Sequence, residues 1–449
     1  GNYDRDVQVN IDSGTFTSRQ GHAVQMLEDA EATGEKNIVI KGGTYSDEEA
    51  AEYIYPGLSI VENADGTYSI ARKASVYVDG VAGDDSRSGD SSETAVRTLE
   101  HALNLVDEEG TIYICGTVTI DSAQTLEGVT IERAEGYGGQ LLAVSGPDAV
   151  LTLIDTTIDG KALEAQMTGY LVFVSNGATL NIMEGSQLLN NQTTAVYVNV
   201  NSDLNMSGGA ISGNIINNPQ EDGYLWGGAG IVNNGTCIVS GGEISNNHTY
   251  GYVAGGIRHS RGTFVLEGDA SVTKNSADWY GGGIVVEAGA QFILDGASIT
   301  ENEAGYYGGG VYIFGATNAD QKTTSFEMRN GSIMGNQAVI TGGGIFAQCA
   351  DDEVVVSIRN GAIKDNVSAE EDMGHAIALY GENGSDLYPR LELSGQPEIN
   401  GDVFFQNDYE DGYVIQVVDA FQPVVPIQIN RSNDVMDIPA VTYAQGLTP

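Results

Sequence analysis

A short pattern of apolar and polar residues recurs along most of the chain. It is clearest from Trp279 to Asn302, where a Gly-rich entry leads to an alternating strand from Ile284, a second strand from Phe292 and a third around Ile299, with Gly turns between the strands. Such alternation is typical of β-strands with one buried face. One copy cannot bury its own apolar face, so we expect successive copies to stack as coils of a solenoid.

Each copy ends on an asparagine that stands three residues after an aliphatic residue, and the asparagines recur every 23 to 34 residues. They are Asn191, Asn214, Asn247, Asn275, Asn302, Asn336 and Asn366, preceded by Leu188, Ile211, Ile244, Val272, Ile299, Ile333 and Ile363. Parallel, in-register coils would place identical side chains above one another, as in other stacked β structures. We therefore predict a structural ladder of amide side chains.

The same register predicts two columns of inward-facing residues. The first strands supply Val172, Val196, Ile231, Ile257, Ile284, Val311, Ile345 and Ile377. The second strands supply Leu180, Leu204, Ile238, Phe264, Phe292, Phe326, Val356 and Leu391. The three cysteines, Cys115, Cys237 and Cys349, lie far apart at strand-like positions, so we predict small buried thiols and no disulfide framework.

Residues 1–73 differ from the coils that follow. Val7–Ile11 alternates like a half-buried strand, and Asp65-Gly66 between Leu58–Ile60 and Tyr68–Ile70 predicts a hairpin. The run from Gly42 to Ile70 resembles a small repeat module of surface proteins from gut Gram-positive bacteria. We therefore predict a small β-rich domain over residues 1–73, and the resemblance implies a mosaic exported protein.

Residues 74–449 form the second predicted domain. Val76–Ser86 and Thr98–Leu103 resemble the opening segment of bacterial right-handed parallel β-helix proteins, which include the pectin-lyase-like families. The entry phrase, as in Gly281–Ile284, resembles the repeats of polymorphic outer-membrane proteins and related adhesins. The fold class implied is all-β, a right-handed parallel β-helix with an N-terminal helical cap. We expect the cap over about 76–110, regular coils over about 111–400 and irregular terminal coils over 401–449.

A helix is predicted within the cap because four apolar residues share one helical face: Leu99, Ala102, Leu103 and Val106. The Gly- and Ser-rich loop before this helix carries four carboxylates, Asp79, Asp84, Asp85 and Asp90. Carboxylate oxygens are calcium ligands, but the spacing fits no EF-hand, and a solvated acidic turn is the preferred interpretation. Calcium is thus the one cofactor considered.

The net charge of −43 changes what partners are expected. It argues against nucleic acid, whose phosphates need Lys and Arg, and against anionic membranes. No apolar stretch is long enough for a membrane helix. Together with the resemblances, this favours an extracellular protein of the bacterial cell surface, part of a longer exported chain and monomeric, with a glycan or a host surface protein as its partner.

Aromatic residues precede the Gly entries of adjacent coils, and rings flanked by polar groups are typical of sugar-binding faces. The candidate ligand-binding residues are Trp226, Tyr252, Arg258, His259, Trp279, Tyr280, Tyr306, Tyr307 and Tyr312. The alternative is that the rings pack on one another and shield the Gly-rich backbone. The bases Arg258 and His259 either hold an acidic group of a glycan or neutralise nearby carboxylates.

Two classes of function follow. The first is a non-catalytic, adhesin-like solenoid that binds through the aromatic face. The second is a glycoside hydrolase, which needs two carboxyl groups across one bond, and Asp278, Glu287 and Glu303 are the candidates near the aromatic residues. A polysaccharide lyase is less expected, because the coils contain few Lys or Arg residues to act as the base.

Overall fold

A computed structural model describes residues 7–19, 21–26, 36–161, 169–217, 227–316, 323–350, 352–369, 373–381, 387–406, 415–431 and 441–443. The chain divides into two compact units, unit 1 with residues 1–118 and 129–137, and unit 2 with residues 119–128 and 138–449. The boundary predicted at residue 73 falls at the start of a strand of unit 1 and stays a prediction. None of the helices described has the length and apolar character needed to cross a membrane.

Unit 1 begins with a small β-rich module. Its core holds Ile40, Tyr45 and Ala50, which are fully or almost fully buried. The hairpin predicted around Asp65-Gly66 is confirmed, because its two strands pair antiparallel and Gly66 has a φ of +80°. The strands of the module are Val7–Ile11, Thr15–Phe16, Lys36–Ile40, Thr44–Tyr45, Ser59–Glu62 and Tyr68–Ala71, with a 3-10 helix over Glu48–Tyr53.

The rest of unit 1 pairs three parallel strands and contains the predicted helix. The strands are Lys73–Asp79, Val106–Gly116 and Thr130–Arg133, with a 3-10 turn over Ser92–Thr94 and an α-helix over Leu99–Leu105. Thr98 caps the helix by accepting a hydrogen bond from His101 N. The predicted face is partly wrong, because Leu105 is buried where Leu103 was expected, and Val106 belongs to the following strand.

Unit 2 is a parallel β-helix, an all-β solenoid in which each coil contributes to stacked parallel sheets. The entry sheet collects the first strand of each coil, which in the most regular coils follows a Gly entry, and neighbours in the sheet are successive along the chain. Its strands are Leu142–Ser145, Val172–Ser175, Val196–Val198, Ile231–Asn233, Ile257–His259, Ile284–Glu287, Val311–Gly315, Ile345–Cys349, Ile377–Gly381, Asp402–Gln406 and Gln428–Arg431. The strand Val118–Ile120 spans the sequence boundary between the units.

The long sheet holds the predicted second and third strands. In several coils these join into one bent strand, since a register shift at Leu294/Asp295 beside Gly296, whose φ is +99°, turns the chain without ending the pairing. The strands of this sheet in unit 2 are Ala123–Glu127, Val150–Ile154, Thr157–Asp159, Thr179–Ile182, Gln187–Leu189, Asp203–Ser212, Thr236–Ser245, Thr263–Glu267, Ser271–Thr273, Gln291–Thr300, Thr323–Met334, Glu353–Lys364, Arg390–Ile399, Ile415–Phe421 and Val441–Tyr443.

A short sheet follows the asparagines and was not predicted. Strands of two or three residues carry too little alternation to be read from sequence. They are Ile215–Asn217, His248–Tyr250, Ser276–Ala277, Glu303–Ala304, Gln337–Ala338 and Val367–Ser368.

The register confirms the inward column of the entry sheet from Val172 to Ile377. One position of the second column is wrong. Cys237, not Ile238, lies between Leu204 and Phe264, and Ile238 is 39% exposed. Cys237 and Cys349 are buried as predicted, while Cys115 is half-buried.

The predicted ladder is present. From Asn214 to Asn366, each side-chain Nδ2 donates to the Oδ1 of the next asparagine at 2.9–3.0 Å. Asn191 joins through its backbone N–H, which donates to Asn214 Oδ1 at 3.0 Å. The Nδ2 groups also donate to carbonyls of the preceding coil, as from Asn302 to Val272 O at 2.9 Å. The ladder therefore ties three consecutive coils together at each step.

Candidate functional site

The Gly entries fix the backbone directly after the aromatic residues. The first glycine, Gly281, has a φ of +64°, where a side chain would be strained. The second, Gly282, lies against the Glu303 carbonyl of the next coil. A Cβ on the third, Gly283, would stand 2.7 Å from Gly310 O and 3.0 Å from the Asn302 amide. Close contact between coils thus requires glycine, and it fixes the course of the backbone that follows the aromatic residues.

The outward face of the entry sheet carries a continuous stack of rings, which we call the aromatic layer: Tyr280, Tyr307, Tyr312, Phe314, Phe346 and Tyr380. Ring centroids lie 4.9 Å apart for Tyr280 and Tyr312, 5.4 Å for Tyr312 and Phe346, and 4.6 Å for Tyr307 and Phe346. Tyr380 continues the stack from Phe346 at 4.8 Å. Because these rings mainly cover one another and the sheet, the shielding role considered from the sequence describes most of the layer.

Two rings at the edge of this layer face solvent, and we call Trp279 and Tyr306 the aromatic rim. They are 39% and 44% exposed. Tyr306 N donates to Trp279 O at 2.8 Å, so adjacent coils place the two residues one strand spacing apart. Both rings contact Tyr280, with centroids at 6.3 Å for Trp279 and 6.0 Å for Tyr306. Both residues of the aromatic rim therefore pack against the aromatic layer through Tyr280.

The other predicted binding residues are less accessible. Tyr252 and Tyr312 are each 7% exposed, while Tyr280 and Tyr307 are half-buried within the layer. Burial, and then the nearby Tyr307, raise the pKa of Tyr280, which favours a neutral phenol at pH 7. Trp226 lies outside the described residues. Of the predicted aromatic residues that are described, Trp279 and Tyr306 offer the most exposed rings.

His259 is not a surface ligand, which corrects the sequence prediction. It is fully buried, facing the core between the rings of Phe264 and Phe292, and its ring nitrogens bond Asn233 Nδ2 and Gln291 O at 3.0 Å each. Burial lowers the pKa of His259 from 6.5 to about 4, so the imidazole is neutral at pH 7. Alternation explains the difference, since a residue next to the outward Arg258 must face inward.

Arg258 does face outward, and it is engaged with a carboxylate of the next coil. Its Nη2 lies 2.6 Å from Glu287 Oε1, its Nε donates to the same oxygen at 2.7 Å, and Ser260 Oγ donates to it as well. Glu287 is only 6% exposed. This geometry corresponds to the neutralising role considered for Arg258, and it assigns Glu287 a charge-pairing role.

The three candidate hydrolase carboxylates lie on two different sheets. Glu287 ends a strand of the entry sheet, whereas Glu303 starts a strand of the short sheet and Asp278 directly follows another. Asp278 Oδ2 accepts a hydrogen bond from Gly251 N at 2.8 Å. The structure therefore groups Asp278 with Glu303 and separates Glu287 from them.

His248, which the sequence analysis did not single out, lies beside Asp278. Its Nε2 is 3.8 Å from Asp278 Oδ1, and its Nδ1 is 2.6 Å from Ser276 Oγ. Burial lowers the pKa of His248, although the carboxylates of Asp278 and Glu303 oppose this. The strand containing His248 is three residues long, so its pairing with Ser276 has no signal in the sequence.

The calcium candidates of unit 1 each have local partners. Asp79 accepts hydrogen bonds from Val81 N and Ala82 N, and Asp84 accepts from Ser86. Asp85 accepts from Arg97 N, Thr98 N and Thr98 Oγ1, and Asp90 lies 2.5 Å from Lys73 Nζ. Asp79 and Asp84 thus accept hydrogen bonds within their own turns, Asp85 accepts from the residues just before the helix, and Asp90 forms an ion pair.

Comparison with protein-family models, curated proteins and solved structures finds no significant match.

Proposed function

We propose that this chain is a non-catalytic, extracellular binding solenoid that holds a neutral glycan against the aromatic rim. The observation that carries the proposal is the exposure of Trp279 and Tyr306, at 39% and 44%, above a packed aromatic layer. Flat rings fixed before binding lose little conformational entropy when a ligand stacks on them. The adhesin-like character and cell-surface location expected from the sequence belong to this proposal.

The surroundings of the rim favour a sugar over an apolar ligand. The exposed side chains of Asp278 and Glu303 lie within three residues of Trp279 and Tyr306 in the sequence, and the exposed Gln337 pairs with Glu303 in the short sheet. Sugars present apolar C–H faces that suit aromatic rings and hydroxyls that suit carboxylates and amides. Exposed rings beside polar groups therefore match both parts of a carbohydrate surface.

Charge favours a neutral glycan over an acidic one. The chain carries a net charge of −43, which repels anionic ligands at long range. Arg258, one base considered for binding an acidic glycan, has its Nη2 2.6 Å from Glu287 Oε1 and so is already in an ion pair. An acidic sugar would have to compete with that buried carboxylate.

Among the described residues, the three candidate carboxylates do not have the arrangement that the hydrolase alternative needs. Glu287 is buried against Arg258 and Ser260, and the remaining pair, Asp278 and Glu303, has one member bonded to backbone. Hydrolysis would require one carboxyl with a raised pKa and a second across the scissile bond. We therefore expect binding without turnover.

The test is a glycan array followed by calorimetric titration of the best neutral ligand. We expect Trp279→Ala and Tyr306→Ala each to weaken binding by about fivefold or more, the loss of a contact worth more than about 1 kcal/mol. Ile238→Ala is the matched control, because Ile238 is also 39% exposed but lies on the long sheet. Circular dichroism checks that each variant is folded.

Three results would contradict the proposal. One is release of reducing sugar from the bound glycan, with the activity lost in Asp278→Asn or Glu303→Gln. A second is unchanged glycan binding in the double variant Trp279→Ala/Tyr306→Ala. Binding to a protein but to no glycan on the array would also exclude a carbohydrate ligand and direct attention to a protein partner.

A further inference from the structure

A second group of ligand-type side chains lies in the N-terminal module, away from the aromatic residues in sequence. His22, Asp47 and Glu49 each offer one donor atom, and these three atoms lie within 4.8 Å of one another. Within the part of the chain that the structure describes, no other set of three His, Cys, Asp or Glu residues meets this geometry. The group combines an imidazole nitrogen with two carboxylates.

The backbone of the module brings these residues together. Asp47 directly precedes the 3-10 helix Glu48–Tyr53, and Glu49 lies in the first turn of that helix. Asp47 Oδ2 accepts hydrogen bonds from Ala23 N at 2.7 Å and Ser46 Oγ at 3.1 Å. The bond to Ala23 holds the segment that carries His22 against the start of the helix, so the group is fixed by the fold.

The other oxygen of Asp47 points to a missing partner. Asp47 Oδ1 is buried and, among the described residues, has no hydrogen-bond partner. A buried carboxylate oxygen left without a donor or a cation is costly, so such an atom calls for an explanation. A cation bound to Asp47 through this oxygen, with His22 and Glu49 as further ligands, would supply the missing interaction.

The spacing of the other two donors fits two ligands of one ion. His22 Nδ1 lies 3.6 Å from Glu49 Oε1, which is long for a hydrogen bond. Two ligands of a tetrahedral zinc ion, each at about 2.0–2.1 Å from the metal, stand about 3.3 Å apart. A shift of a few tenths of an ångström would therefore place both atoms in coordination distance.

We propose that His22, Asp47 and Glu49 form a binding site for Zn²⁺. An imidazole with two carboxylates suits zinc, whereas Ca²⁺ and Mg²⁺ take oxygen ligands. Three protein ligands leave a coordination position for water. The ion would join the segment around His22 to the 3-10 helix, so zinc binding stabilises the module in proportion to the logarithm of the free zinc concentration.

The test is calorimetric titration of Zn²⁺ into the metal-free full chain in excess Ca²⁺, which occupies weak sites on the acidic surface. We expect one saturable zinc site, and with Co²⁺ the intense visible absorption of a tetrahedral nitrogen and oxygen site. His22→Ala and Glu49→Gln should each weaken zinc binding by about tenfold or more.

Both substitutions are at partly exposed side chains, 40% and 45%, so the fold is expected to survive them, and circular dichroism verifies this. Glu52→Gln is the matched control, an exposed carboxylate of the same 3-10 helix outside the group, and it should bind zinc like the wild type. Absence of a saturable site, or wild-type zinc affinity in either His22→Ala or Glu49→Gln, overturns the proposal.

Discussion

At the scale of single residues, the third glycine of each entry is where one methyl group matters most. A Cβ on Gly283 would meet Gly310 O at 2.7 Å and the Asn302 amide at 3.0 Å, and both neighbours are held in hydrogen-bonded arrays. We expect Gly283→Ala to lower the free energy of unfolding by about 1–3 kcal/mol, the usual cost of overpacking. Urea denaturation followed by far-UV circular dichroism measures the change.

Gly138→Ala is the control for that substitution. A Cβ at Gly138 would have no neighbouring atom within 4 Å, and Gly138 has no positive φ. Alanine there restricts the unfolded chain without a clash, so the free energy of unfolding should stay the same or rise by up to about 1 kcal/mol. If both variants unfold at the same urea concentration, close contact between coils is not the reason for the repeated glycine.

At the scale of one element, replacing a buried asparagine inside the ladder should destabilise the protein more than replacing an exposed asparagine that makes a similar hydrogen bond. Asn302 Oδ1 accepts from Asn275 N and Asn275 Nδ2 at 3.0 Å each, and Asn302 Nδ2 donates to Val272 O and Asn336 Oδ1 at 2.9 Å each. Asn302→Ala removes these four bonds from a buried site, and each group left unpaired costs about 1–3 kcal/mol. We expect a loss of about 3 kcal/mol or more in the free energy of unfolding, measured by urea denaturation.

Asn205→Ala provides the comparison, since Asn205 also donates an amide hydrogen bond to an asparagine of the neighbouring coil, Asn181, at 3.0 Å. Asn205 is exposed on the surface, where water replaces the lost bond, so its change should stay within about 0.5 kcal/mol. An equal effect of the two substitutions would mean that the buried ladder adds nothing beyond an ordinary surface amide pair.

The inward-facing residues of a strand could be predicted where the strand alternates clearly between apolar and polar residues. They could not be predicted where only the pairing with a neighbouring strand decides which residue faces inward. The inward column from Val172 to Ile377 follows from alternation because each strand has one apolar face. In Cys237-Ile238-Val239 three apolar residues in a row permit either phase, and only the pairing of Cys237 with Phe264 decides it.

The sequence predicted where along the chain the candidate site lies, but not which of its aromatic rings are exposed to solvent. Most of its aromatic residues could be found because they precede the Gly entries of adjacent coils. Which ring is exposed could not be read, because Tyr306 and Tyr307 are adjacent in sequence, yet Tyr307 packs on Phe346 of the next coil while Tyr306 faces solvent. That choice depends on the outward residue of a neighbouring strand, whose position only the register gives.

At the scale of the whole molecule, stability should depend on pH through two opposing contributions. The net charge of −43 at pH 7 destabilises the compact state by self-repulsion, and acidification relieves this as carboxylates take up protons. The buried His259 acts in the other direction. Burial lowers its pKa from 6.5 to about 4, so between these values the unfolded chain binds a proton that the folded chain excludes.

The contribution of His259 to the free energy of unfolding therefore falls as pH decreases from 6.5 towards 4. Above about pH 6.5 this contribution is constant. A shift of this size corresponds to about 3 kcal/mol. His259→Leu removes the titrating group while leaving the surface carboxylates in place, so subtracting the two pH profiles of unfolding free energy isolates the imidazole. The wild type should lose about 3 kcal/mol relative to the variant between pH 6.5 and 4. Parallel profiles would mean that His259 accepts a proton in the folded protein and is not sealed in the core.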